Sequence, residues 1–239
     1  MKPPPAIHVA SPATSRSFEL RLYGALALTA LMIVLVGFSR TFYLRAWFDN
    51  PPLSPLRYLH GALMSAWYVL FVAQVGLIRL NRADLHRRLG VLTALIGLAI
   101  LPVGAATAVD FVVRLHANAD EAAFAALVAG YDFISLIVFG SLIGTALVFR
   151  RRGDVHKRLM LMASLSLLGP PLARVVPDEQ ALWLTYLLLL TPMAVDTWPH
   201  RRLHPAFGWS AALIVVSSRL ALHFAASPRW VEFCLRTLA

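Results

Sequence analysis

The sequence predicts an all-α fold, a polytopic transmembrane helix bundle of about seven helices. Three observations predict it. The 239 residues are 59% hydrophobic and only 14% charged, where a soluble domain carries about a quarter charged residues. The apolar residues fall in runs of about 20, enough to cross about 30 Å of hydrocarbon. One short basic phrase recurs between such runs: His86-Arg87-Arg88-Leu89, His156-Lys157-Arg158-Leu159 and His200-Arg201-Arg202-Leu203.

Taken in order, residues 1–19, rich in Pro, Ser and Thr, read as a disordered cytoplasmic tail without the layout of a signal peptide. Residues 20–227 form one transmembrane helical domain and residues 228–239 a short C-terminal tail. The first span is Leu22 to Ser39. The stretch Arg40 to Arg57, with Phe42, Tyr43, Trp47 and Phe48, belongs at an interface, where amphipathic rings settle. The second span is Tyr58 to Leu80. The third is Arg87 to Val113, with a kink expected at Pro102. The fourth is Ala123 to Phe149. The fifth is Val155 to Leu172, closed by Gly169-Pro170-Pro171. The sixth, Leu182 to Val195, is short and contains Pro192, and the seventh runs from Pro205 to Phe224.

The formal charge of +10 sits in the short loops between spans, so it reads as a topology signal rather than a nucleic-acid face. The loops at 81–88, 150–158 and 196–204 are rich in arginine and the tail carries Lys2, Arg16 and Arg21, while the alternate loops at 114–122 and 174–181 have one Arg each; this puts the basic loops and the N-terminus in the cytoplasm. Arg40, Arg45 and Arg57 in the first outer loop run against that count. Spans 2–3 and 4–5 then form two hairpins of equal orientation, a parallel repeat. It places His86 and His156 at matching depth, with Asp84 and Asp154 as N-caps. The single cysteine, Cys234, excludes a disulfide framework.

Polar residues inside apolar runs are the candidate sites, because each must find a partner away from lipid. His60, Trp67 and Gln74 share one face of span 2 at heptad spacing. Asp132 lies two turns into span 4 at the outer depth of His60, with Arg174, Arg219, His223 and Asp110 as neighbours at that level. These residues predict a polar pocket in the outer half, lined by His60, Trp67, Gln74, Asp132, Arg174 and His223. The alternative reading of each is a satisfied buried group or a structural ion pair. The basic-loop histidines have three readings. They anchor helix ends to lipid phosphates, or His86 and His156 hold a haem b as axial pair, or His200 and His204 join a metal site. Gly90, Gly97 and Gly104 at seven-residue spacing predict close helix packing. No phosphate loop, nucleophile elbow or His-Glu-x-x-His is present.

Four stretches together resemble an uncharacterised bacterial family of multipass membrane proteins, a domain-of-unknown-function family. They are Leu59-His60-Gly61-Ala62-Leu63 with Trp67 and Gln74, Leu85-His86-Arg87-Arg88-Leu89-Gly90, Val155-His156-Lys157-Arg158-Leu159-Met160, and Arg202-Leu203-His204-Pro205. The resemblance covers most of residues 36–220. It implies a multipass protein of the bacterial inner membrane and brings no catalytic residue with it. His86 and His156 also resemble one haem-binding pair of cytochrome b561-type bundles. Where a second pair needs a histidine opposite His60, this chain has Asp132. The likeness to seven-helix zinc hydrolases is fainter, because His200 and His204 lie on the side away from His60, Asp132 and His223.

These readings converge on a binding or accessory module in the membrane whose polar pocket holds a lipophilic ligand such as quinone or haem. The other classes are a b-type haem electron-transfer subunit, a metal-dependent membrane hydrolase and a proton-coupled transporter using Asp132. The expected partners are the lipid bilayer, the quinone or haem itself and a membrane protein, with no nucleic acid.

Overall fold

The computed structural model describes residues 12–115 and 119–237, and all their side chains except those of 12–16, 119, 120, 178, 199 and 200. Every regular element among them is helical. The long elements are α1 (Pro12–Gly37), α2 (Pro55–Arg79), α3 (Ala83–Leu115), α4 (Ala119–Val148), α7 (Asp178–His200) and α8 (Pro205–Ala225). Two short ones, α5 (Gly153–Ser166) and α6 (Gly169–Leu172), lie between α4 and α7, and α9 (Pro228–Thr237) ends the chain.

Among the described residues six helices are long and apolar enough to cross a membrane: Ser17–Gly37, Pro55–Arg79, Ala83–Leu115, Glu121–Val148, Glu179–Trp198 and Pro205–Ala225. This fits an integral multipass membrane protein. Large apolar side chains face outward along their whole length, among them Met32, Leu95, Ile137, Leu187, Val216 and Leu220. A surface of that kind is unstable in water and matched to lipid tails. Trp47, Trp198 and Trp209 are also exposed, in or near the segments that join spans, where indoles favour the membrane interface.

Local chemistry explains the helix ends. Ser54 caps α2 by accepting from the Arg57 N–H, and Pro55 follows at the first helical position. His204 caps α8 in the same way, its Nδ1 accepting from the Ala206 N–H at 3.1 Å, with Pro205 next. Asn81, in the left-handed conformation at φ 56°, turns the chain between α2 and α3. Asp84 and Asp154 sit within the first turns of α3 and α5 rather than at the caps. α3 runs unbroken through Pro102, and α7 runs through Pro192 to exceed the short span expected there.

The fifth expected span, Val155 to Leu172, is not one helix. α5 stops at Ser166 and α6 begins at Gly169. The reason is Gly169-Pro170-Pro171. A helical Pro170 lacks its N–H and presses its ring on the carbonyl four residues back, at Ser166. The pair nevertheless lies along α1. Lys157 at the start of α5 pairs with Glu19 at the start of α1. At the other end α6 meets Gly37, and Arg174 lies 4.4 Å over the Phe38 ring. α5 is the most buried element: Leu159, Leu161, Met162, Ala163, Ser164 and Leu165 are all enclosed by α4, α8, α7 and α1. The Tyr68 hydroxyl donates to the Ser164 carbonyl at 2.8 Å and ties α2 to it.

The contact at Gly37 makes a prediction. A Cβ there falls 2.8 Å from the Cα of Pro171, a backbone atom with no rotamer to escape into. Gly37→Ala is expected to lower stability by about 1–3 kcal/mol through overpacking. Gly144, also inside a helix, has no atom within 4 Å of its added Cβ. Gly144→Ala is expected to raise stability by about 0.5–1 kcal/mol. Thermal unfolding in detergent checks both, and equal effects at the two sites contradict the packing argument.

Candidate functional site

Three polar clusters are built into the bundle. The first lies where α3 and α5 begin, the end that carries the basic loops. His86 stands in the first turn of α3 and His156 in the first turn of α5, both half-buried. Their ring centroids are 6.4 Å apart with the planes at 85°. Each ring has one nitrogen already engaged. His156 Nδ1 is 2.8 Å from the Ala146 carbonyl oxygen of α4. A carbonyl only accepts, so Nδ1 donates, and in the neutral ring Nε2 carries the lone pair.

His86 has the opposite arrangement, set by Gln74 of α2. The Gln74 amide lies between two backbone groups that cannot exchange roles. The amide is therefore assigned with its NH2 toward the His86 carbonyl at 3.2 Å and its oxygen toward the Gly90 N–H and the Thr93 hydroxyl, each at 3.0 Å. The same NH2 therefore donates to His86 Nδ1 at 2.5 Å. In the neutral ring the proton of His86 then sits on Nε2. One free Nε2 is a donor and the other an acceptor.

That pairing bears directly on haem. An axial histidine binds iron through a ring-nitrogen lone pair. His156 Nε2 offers such a lone pair directly, whereas His86 offers one at Nε2 only after its proton moves to Nδ1.

The second cluster lies at the opposite end. Arg174, just after α6, is the charged group acting electrostatically on both Asp132 of α4 and His60 of α2. Arg174 donates to the Pro170 carbonyl at 2.7 Å and makes no direct ion pair with Asp132. Its neighbours crowd the guanidinium enough to push its pKa below the ordinary value, against the pull of Asp132. Of the six residues expected to line one outer pocket, Arg174 acts electrostatically on His60 and Asp132, and no hydrogen bond or ion pair joins the three. Gln74 belongs to the histidine cluster at the other end. Trp67 lies between the ends, edge-on to Phe139 at 5.0 Å, with Gly97 giving it room and its indole N–H buried without a partner. His223 faces a surface groove on α8 lined by none of His60, Asp132 and Arg174. Asp110 is engaged by Arg114 at 2.9 Å and Arg57 at 3.6 Å, and Arg219 lies over the Tyr186 ring.

A membrane carboxylate that loses its cation costs about 2.5–3.5 kcal/mol to keep ionised. Arg174→Leu is therefore expected to lower the unfolding temperature in detergent. Asp132→Asn added to it is expected to restore most of the loss. A double variant no more stable than Arg174→Leu alone contradicts the coupling.

The third cluster was not anticipated. Arg158 of α5 and Asp196 of α7 form an ion pair with side chains only 8% and 9% exposed. Beside it lie the Glu19–Lys157 pair and Tyr23, whose buried hydroxyl has no partner. The sequence carried a signal in Asp196, an acid at the end of an apolar run. Its cation, Arg158, was hidden among loop arginines. His204 is occupied as the α8 cap, and its Nε2 lies 3.3 Å from Asp154. The side chain of His200 lies outside the described residues. Among the described residues no group of three or more His, Cys, Asp or Glu converges to hold a metal.

No family model, curated protein or solved structure matches the chain.

Proposed function

We propose that the chain is a binding module of the bacterial inner membrane that holds a quinone headgroup at His86 and His156. The observation that carries this reading is the donor–acceptor pair. A quinone carbonyl accepts from His86 Nε2–H. The hydroxyl of the reduced form donates to the bare Nε2 of His156. The two imidazoles thus suit both forms of one ligand without changing tautomer. Gln74 and the Ala146 carbonyl hold the rings in place, as outer partners do for ligating histidines. The half-buried position at a span end suits a headgroup whose chain lies in lipid.

The same reading gives the finer topology. α5 and α6 together make the fifth of seven crossings, supported by their run from the start of α1 to its end. The hairpins α2–α3 and α4–α5 are the repeated unit, which accounts for two histidines at one depth. The basic loops and the N-terminus are cytoplasmic by their arginine excess. Membership of the uncharacterised multipass family rests on the four sequence stretches.

The test is the quinone content of detergent-purified protein, by organic extraction and chromatography, with a visible spectrum of the same sample. Wild type is expected to carry quinone stoichiometric with protein. His86→Ala and His156→Ala are each expected to lose about tenfold or more in affinity, about 1.4 kcal/mol. Quinone no higher than in an unrelated protein from the same membranes overturns the reading. A Soret band abolished by both substitutions replaces it with haem.

A further inference from the structure

The last two helices form a groove that plays no part in the histidine site. α9 folds back onto α4. The Trp230 indole N–H donates to the Ala126 carbonyl at 2.7 Å, and Cys234 is fully buried beneath the helix. Phe224, Trp230 and Phe233 pack in series, with centroids 5.0 and 5.7 Å apart. Between α8, α9 and α4 they leave an open groove of about 640 Å³, floored by these rings and Leu220. That volume is within the range of about 300–1,000 Å³ for sites that take small ligands. His223 and Arg229 also line it, both exposed. Neither has a hydrogen-bond or ion-pair partner among the described residues. The other charged groups described on α9, Glu232 and Arg236, pair with each other.

We infer that this groove binds an anionic phospholipid, one acyl chain along Leu220, Phe224, Trp230 and Phe233 and the headgroup phosphate on Arg229 and His223. The rings exclude water along the trough, so an apolar chain is favoured there. A cation at its edge that no acid among the described residues neutralises selects a negative headgroup. α9 supports the placement: a short helix with an apolar face against the bundle and charges on the other lies at the membrane interface. It sits at the bundle end opposite the basic loops.

The experiment is thermal unfolding of the full chain, delipidated in a neutral detergent, with added phosphatidylglycerol. Wild type is expected to gain about 3 °C or more from phosphatidylglycerol, and clearly less from phosphatidylcholine. Inorganic phosphate at the same concentration is expected to give no shift. Arg229→Gln/His223→Gln, two changes at exposed positions, is expected to lose most of the phosphatidylglycerol shift. A full shift in that double variant overturns the headgroup site. The full shift from phosphate alone overturns the role of the apolar trough. A wild-type dimer that ignores phosphatidylglycerol and is dissociated by Leu220→Arg assigns the groove to a second copy and also overturns the proposal.

Discussion

Asp196→Ala is expected to be the most damaging single substitution in the chain, lowering stability by about 3–5 kcal/mol. Its partner Arg158 stands on the buried helix α5 with almost no exposure. The guanidinium reaches Asp196 through two nitrogens, donates to the Asp154 carbonyl at 2.7 Å and lies 5.5 Å from the Phe207 ring centre. Removing the carboxylate leaves a buried cation without its partner. Removing both charges is a different perturbation. Arg158→Met/Asp196→Leu is expected to recover most of the loss, because it removes the desolvation cost of both ions. The measurement is the unfolding temperature of the single and double variants in detergent. A double variant as unstable as Asp196→Ala contradicts an electrostatic origin.

Gln74→Leu is expected to weaken quinone binding by about 10–100-fold, although Gln74 does not touch the ligand in the proposed site. The amide is the only group assigned to fix the His86 tautomer. Leucine leaves Nδ1 facing an apolar group, and an unsatisfied buried acceptor costs about 1–3 kcal/mol. His86 is then free to move its proton to Nδ1, and Nε2 loses its donor. Two readouts separate this from simple unfolding. Quinone titration should show the loss, and the histidine ring nitrogens in NMR should report a changed tautomer at residue 86 with His156 unchanged. Full affinity in Gln74→Leu removes Gln74 from the site and the tautomer argument with it.

The membrane class and most helix positions were legible because they depend on local quantities. Apolar run length, Pro at first helical turns and arginine in loops can each be read within one segment. The break in the fifth span was also written locally, in Gly169-Pro170-Pro171, but apolarity alone does not separate a broken span from a whole one. The helix within the C-terminal tail at 228–239 was not legible for a similar reason. Residues 228–237 form α9, whose apolar face has meaning only against α4, more than a hundred residues earlier. Heptad spacing placed His60, Trp67 and Gln74 on one face of α2. It left unstated that a 25-residue helix puts its two ends in different sites.

The recurring phrase divides the two kinds of information. By itself the sequence placed His86 and His156 each at the start of an apolar run directly after a basic loop. It also determined that such residues need partners, because lipid supplies none. Only the tertiary structure decided what the partners are. Arg88 is exposed while Arg158, its counterpart in the second copy, is buried against Asp196. Gln74 of α2 faces His86, while the Ala146 carbonyl of α4 faces His156. The physical reason is that helix rotation and neighbour identity come from side-chain packing between segments far apart in the chain. Closely similar phrases therefore enter different electrostatic surroundings.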